Sequence, residues 1–446
     1  MRIFFLVWIG QVVSLLGSKL TEFAMGVWVY QQTGSITQFG QIVLLMYLPN
    51  VLISPIAGTM VDRINRRYGM ILSDTGAGIC TMLVMALAFT GNLQVWHIYI
   101  AVCWVSCCNA FQLPAYTAAI AQLVAKQNYS RTNGMVQISK AIAKLVSPLL
   151  AGFLVKSIGL EGILLIDAST FLFALTTLLM VRFPEIPQSR INRVKRVNIA
   201  QLWQDICSSW NYIVDRPGLK RLLLFIAITY FSMGALEVSF WPFVLKMGSS
   251  DRLGLVLFVG GCGMLLGSVA IGVWGGPKRR IYGVLFFVVL QGFSVVLGGL
   301  RASLIWAGLG IFGYLFAQPF IVSCNQAIWQ SKVPLNLQGR VFALQQMLER
   351  SLSICAYIIT GPLVELIFEP AMMENGILAN TLIGRIMGTG EGRGIALLLI
   401  SVGFLNIFAA FMAFRQPRLM RIEEELPDAI DDNKSLTKTE FKSLNN

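Results

Sequence analysis

Ile395–Phe414 reads IALLLISVGFLNIFAAFMAF, twenty residues without a charge. As a helix rising about 1.5 Å per residue, that run crosses about 30 Å, the hydrocarbon thickness of a bilayer. Runs of similar length recur at Phe39–Ile56, Met70–Phe89 and Leu222–Phe243. Across all 446 residues the chain is 56% hydrophobic and 13% charged, with a mean hydropathy of +0.68. An ordinary soluble chain is about a quarter charged, and no single soluble core absorbs this much apolar surface. The solvent of this chain is therefore the lipid bilayer.

Apolar length, with charge, Gly and Pro as punctuation, places transmembrane helices near 3–30, 38–58, 69–90, 96–121, 133–157, 162–183, 221–246, 253–275, 281–300, 302–327, 339–367 and 393–414. The expected fold is all-α and integral to the membrane, with twelve helices. The first run, from Ile3 to about Tyr30, is too long for a cleaved signal segment and is expected to stay as a helix. Lys and Arg collect in alternate connections: Arg2; Arg63, Arg66 and Arg67; Lys126 and Arg131; a group from Arg182 to Arg221; Lys278, Arg279 and Arg280; Lys332 and Arg340; and the tail. The other connections hold only Lys156, Lys246, Arg252, Arg301, Arg385 and Arg393. By the positive-inside rule both termini face the cytoplasm of a multi-pass protein of the cell membrane.

The polar stretch 184–220 separates an N-terminal bundle, 1–183, from a C-terminal bundle, 221–414, and 415–446 forms a polar cytoplasmic tail, expected to lack structure beyond about Pro427. Within the linker, Ile199, Leu202, Ile206, Trp210 and Ile213 recur at helical spacing, which predicts an amphipathic helix on the inner membrane surface. The halves repeat at an offset of 214: Gly34-Ser35 matches Gly248-Ser249, Gly40 matches Gly254, Gly58 matches Gly272 and Arg66 matches Arg280. Duplicated six-helix halves are a transporter architecture, with the substrate site near the midplane between them.

Other classes find little support. The net charge of +13 lies in short clusters between apolar runs, without the aromatic interleaving of a nucleic-acid surface. Eight cysteines show no zinc or disulfide spacing, and His97 is the only histidine, so no metal site is expected. No nucleotide loop or nucleophile motif suggests an enzyme or a cofactor. Nothing in the sequence requires an oligomer.

The loop after the second segment reads Gly58-Thr-Met-Val-Asp62-Arg63-Ile-Asn65-Arg66-Arg67. It resembles the signature loop of the major facilitator superfamily, with Asn65 where a second Gly is usual. The resemblance implies a fold of two pseudo-symmetric six-helix bundles and a cytoplasmic gate. In that gate Gly58 allows close packing, and Asp62, Arg63, Arg66 and Arg67 latch onto the start of the eleventh segment, here Gln338-Gly339-Arg340. In the fifth segment Gly134, Ala143, Ser147-Pro148 and Ala151-Gly152 follow the spacing of the glycine-rich motif of proton-driven antiporters, with three glycines replaced by Ala or Ser. Such small residues favour close helix packing; a Pro-kinked packing helix is the other reading. Ile166-Asp167-Ala168, Gln326–Pro334, Gln338–Phe342 and Phe368–Met373 are similar to the macrolide-efflux-like branch of the drug:proton antiporters. The fourth segment lacks that family's arginine, since Cys103 to Pro114 holds no base.

Charges at membrane depth are the functional candidates, because each is costly unless paired, hydrated or used. Lys19 and Glu22 share one face of the first segment, and Lys140 and Lys144 share a stripe of the fifth. Glu22 is the first candidate carboxylate for proton coupling or cargo contact, with a static Lys19–Glu22 pair as its alternative, and Glu237 is the second. The lysines suit an anionic cargo group or a buried acid. Glu349-Arg350 reads either as a cavity pair or as part of the inner latch, and Asp74 and Asp167 as structurally paired acids. Trp8, Phe23, Trp28, Tyr230, Phe231, Phe240 and Trp241 are candidate cargo-packing aromatics. The expected function is export of an amphiphilic small molecule (a macrolide, siderophore or other secondary metabolite) by proton antiport and alternating access. Import or facilitated passage of a nutrient or organic anion is the alternative within the class, and a transport-dead receptor of the same fold the alternative outside it.

Overall fold

The computed structural model of the chain describes residues 2–61, 66–124, 129–181 and 199–425. Among them are helices and turns and no strand. In hydrocarbon a helix satisfies its own backbone, which is why the apolar runs fold this way. The long helices are α1 (Arg2–Thr33), α2 (Ile36–Val61), α3 (Arg66–Phe89), α4 (Val95–Leu123) and α5 (Tyr129–Met180), then α6 (Ile199–Val214), α7 (Pro217–Met247), α8 (Ser250–Trp274), α9 (Arg280–Leu300), α10 (Leu304–Lys332) and α11 (Leu335–Leu363). A π-helical turn (Val364–Phe368) and the short α12 (Glu369–Met372) and α13 (Leu382–Met387) lead to α14 (Arg393–Phe414). Two further short helices, α15 (Pro417–Met420) and α16 (Ile422–Glu425), follow.

Eleven described helices are long and apolar enough to span a membrane, and one of them, Ser139–Met180, holds two crossings. Where a loop was expected between the fifth and sixth segments, helix α5 bends at one residue, Gly159 (φ 69°, ψ −172°), which returns the chain across the bilayer. A side chain at that φ is strained, whereas glycine adopts it freely. Counted this way the segments number twelve.

Six crossings from α1 to α5 form one half, and α7 to α11 with α14 form the other. One end of the bundle carries α6 and the chain's last described residues and is here the linker end. The opposite end, where α1 passes to α2 and α7 to α8, is the far end. The expected apolar face of α6 is divided: Ile213 is fully buried among Leu219, Leu222 and Ile226, while Trp210 is 44% exposed. Tyr212 Oη donates to the Lys332 carbonyl at 2.8 Å, so the linker helix docks on the second half.

Residues after Phe414, expected to begin a polar tail, also dock. Leu419 and Ile422 are buried, and the Glu423 carboxylate accepts the backbone N–H groups of Arg280 (3.1 Å) and Ile281 (3.3 Å) at the start of α9. A carboxylate is favoured at a helix N-terminus, where backbone donors lack partners. The stretch beyond Pro427 lies outside the described residues, as do residues 182–198 of the linker.

The halves meet along two seams toward the far end. In one, the first limb of α5 lies on α8. A Cβ on Gly152 would sit 2.5 Å from the Ser250 carbonyl oxygen, and one on Gly254 would collide with that of Pro148. Ser250 Oγ donates to the Gly152 carbonyl at 3.1 Å, and Lys156 pairs with Asp251 at 3.4 Å. In the other, α2 lies on α11. There Gly361 leaves no space for a Cβ against Thr37, and a Cβ on Gly40 would come within 2.9 Å of the Tyr357 carbonyl oxygen. Glu365, from the π turn, accepts from Ser35 Oγ (2.8 Å), the Thr37 N–H (3.0 Å) and Thr37 Oγ1 (2.6 Å), capping α2 from the opposite half.

Candidate functional site

Below the seams the halves share a polar cluster. Glu237, on α7, accepts from Tyr47 Oη of α2 at 2.9 Å and from Tyr357 Oη of α11 at 2.8 Å, one phenol on each carboxylate oxygen. The two phenol rings stack at 5.8 Å with an interplanar angle of 22°. Since Tyr47 belongs to the first half and Glu237 to the second, one carboxylate ties the halves together. One turn closer to the far end, Trp241 of α7 packs on Phe23 of α1 (5.1 Å) and Phe39 of α2 (5.5 Å). These rings, with Gly26 backing the Trp241 indole, form an aromatic roof over the carboxylate.

Around Glu237 the structure gathers most of the predicted charges. Lys19 and Glu22 form a close ion pair on α1, both partly open to solvent. Lys144 of α5 lies within electrostatic reach of Glu237 and Lys19, and Glu22 within reach of Glu237. Two cations and two carboxylates therefore share the space between α1, α5 and α7, an arrangement that a charged cargo group or a proton entering it would unbalance. Lys140, one turn toward the linker end, is exposed and makes no ion pair among the described residues.

Two other acids of the first half, Asp74 and Asp167, are held by neutral donors. Asp74 of α3 accepts from Gln11 Nε2 (2.9 Å) and from Gln112, which also donates to Gln11 Oε1 at 3.0 Å. Asp167 of α5 accepts from Ser18 Oγ (3.3 Å) and Thr81 Oγ1 (3.5 Å). Both bind α1 to its neighbours within one half.

Of the expected gate, Asp62 and Arg63 lie outside the described residues. Gly58 lies in the last turn of α2, Arg66 begins α3, and Gly339 and Arg340 lie in the first turns of α11; of their side chains nothing further is described. Arg67 donates to the carbonyls of Leu178 (3.2 Å) and Leu179 (2.8 Å), at the end of α5 in its own half. In the expected packing motif, Gly134 lies near the start of α5, Ala143, Ser147 and Ala151 are buried, and Pro148 and Gly152 make the closest approach to α8.

Three participants were not singled out from sequence: Tyr47, Tyr357 and Glu365. The tyrosines lie within apolar runs where phenols are common at interfaces. Glu365 near the end of an apolar segment was a visible signal, as were the unpartnered N–H groups at the start of α2.

Two six-helix halves around a polar cluster, sealed at one end, are the build of a secondary transporter. The model of the Major Facilitator Superfamily matches residues 7–356. The chain belongs to that superfamily, whose members are transporters and not enzymes. It is 27% identical over 349 residues to macrolide efflux protein A of Streptococcus pyogenes, covering 76% of this chain and 84% of that one. It is 23% identical over 344 residues to the enterobactin exporter EntS of Salmonella typhimurium, covering 76% and 80%. Among solved structures, a mutant of the nucleoside transporter NupG superposes with a TM-score of 0.70 at 12% identity, covering 93% of this chain and 99% of that one. A bacterial homolog of the human lysosomal transporter Spinster, in an inward-facing and unoccupied conformation, gives 0.67 at 15% identity, covering 94% and 97%. Both structural likenesses concern the fold.

Proposed function

We propose that the chain exports an amphiphilic small molecule across the cell membrane in exchange for protons, with the linker end and both termini in the cytoplasm. The observation that carries this reading is Glu237, a carboxylate bound by a phenol from each half beneath the sealed far end. The relatives named for macrolide efflux and enterobactin export support the outward direction. Lysines and arginines at the linker end support the orientation.

In the far-end-closed state the ionised Glu237 accepts from Tyr47 and Tyr357. Cargo entering from the linker end competes for those phenols and for Lys19, Glu22 and Lys144. Displacing Tyr47 removes the tie between halves, so the far end parts. A proton from outside then takes the carboxylate, cargo leaves, and the halves return to release the proton inward. The coupling lies in one group serving cargo and proton in turn. Glu22, the first candidate from sequence, is neutralised by Lys19 on its own helix, so Glu237 takes the coupling role and the pair on α1 shapes the field.

Efflux of a varied set of dyes, macrolides and siderophores from cells tests this. Glu237→Gln is expected to lower energy-dependent efflux by about ten- to a hundredfold, the scale of a charge-assisted hydrogen bond, while Glu22→Gln has the smaller effect. Efflux that survives Glu237→Gln at equal protein level, or that ignores collapse of the pH gradient, sinks the antiport reading.

A further inference from the structure

Within the second half, α7, α9, α10 and α11 line a partly open cavity of about 130 Å³. Water occupies about 30 Å³ per molecule in the liquid, so the space suits a head group of a few heavy atoms. Its inner wall holds Glu349, 2% exposed, and Asn325, 6% exposed. Arg350 lines the same cavity, exposed, beside Tyr230. Glu349 and Arg350, the pair suggested by sequence, do not form an ion pair. Neighbours in a helix do not face each other, and Glu349 turns instead toward α10.

Glu349 Oε1 accepts from Asn325 Nδ2 at 3.2 Å and from Gln345 Nε2 at 2.9 Å. Both amides thus turn their nitrogens toward Oε1 and their carbonyl oxygens away. Asn325 Oδ1 and Gln345 Oε1 are buried without a donor among the described residues. Both bonds reach Oε1, which leaves Oε2 without a donor among the described residues. The Glu349 side of the cavity therefore offers a free carboxylate oxygen, and the Arg350 side offers guanidinium donors.

We infer that this cavity binds a zwitterionic head group on the cargo, an ammonium a few bonds from a carboxylate. The ammonium meets Glu349 Oε2, the oxygen left without a donor, and the carboxylate meets Arg350. A bare metal cation would satisfy the wall and leave Arg350 opposing it; a simple anion would face Glu349. Tyr230 and Glu237 are seven residues apart on one face of α7, so cargo anchored here extends its apolar part toward the central cluster. The inference rests on the export reading for the word cargo, but the cavity's chemistry can be measured without transport.

The full chain in lipid nanodiscs is titrated with Nε-octanoyl-lysine, which has a free amino-acid head, with its Nα-acetyl derivative, and with its α-carboxamide. The wild type is expected to bind the zwitterion about tenfold more tightly than either derivative, the scale of one charge-assisted contact. Glu349→Gln removes the preference over the acetyl derivative. Arg350→Gln, at an exposed position that leaves the fold intact, removes the preference over the carboxamide. Equal affinity for all three ligands in the wild type, or preferences that persist in both variants, overturns the inference. Efflux assayed beside it keeps the two readings apart: head-group preference without any efflux sinks the exporter and leaves the cavity, while robust efflux without the preference does the reverse.

Discussion

The two seams between the halves occupy matching places in the internal repeat and are built differently. Ser35 and Ser249 are equivalent positions, each just ahead of or within the first turn of a helix that packs on the opposite half. On α2 the N-terminus is capped in trans, by Glu365 from the other half. On α8 the carboxylate is its own, Asp251, and the other half contributes Lys156 at 3.4 Å and the Gly152 carbonyl, which accepts from Ser250 Oγ at 3.1 Å. What holds α8 is instead backbone contact, with Gly152 and Gly254 each against a carbonyl oxygen of the other helix. A repeat can conserve the place of a contact while exchanging its chemistry, and the two seams should therefore fail differently.

The largest effect is expected from Gly254→Leu. The new side chain has no space against Pro148, and overpacking typically costs about 1–3 kcal/mol. The far-end-closed state should lose population about tenfold or more. Alkylation of a cysteine placed at the far end should accelerate accordingly, and an unchanged rate would mean that the seam opens without the glycine contact. Glu365→Gln keeps one acceptor and loses the charge, so a loss of about 1 kcal/mol, roughly fivefold in the same assay, is expected. An effect as large as that of Gly254→Leu would make the polar seam the dominant one. Lys156→Ala should change the rate less than twofold, since an exposed ion pair is worth about 0–1 kcal/mol. A tenfold change there would erase the distinction between polar and packed seams.

Apolar runs made the twelve crossings legible, because each depends only on its own length and composition. Gly152 and Pro148 were legible for a related reason: small residues at regular spacing mark a helix that something approaches closely. The charge cluster was legible residue by residue, in Lys19, Glu22, Lys144 and Glu237, but not as a set. Tyr47 and Glu237 lie 190 positions apart, and Thr37 and Glu365 lie 328 apart. No local pattern joins such pairs; only the packing of the halves does. At Glu349 and Arg350 both residues line one cavity, but Glu349 bonds to Asn325 and Gln345 and makes no ion pair with Arg350. The charges of the tail do not reveal that Leu419 and Ile422 find a core.

Trp241 sits between Phe23 and Phe39, both from the opposite half, in the closed roof. If the halves part at that end, the indole exchanges two aromatic neighbours for water, and its emission shifts to longer wavelength. The chain thus carries its own optical indicator of which end is open. The other nine tryptophans form a background that a Trp241→Phe control subtracts. Turnover could then be followed in unlabelled protein, one spectrum per state.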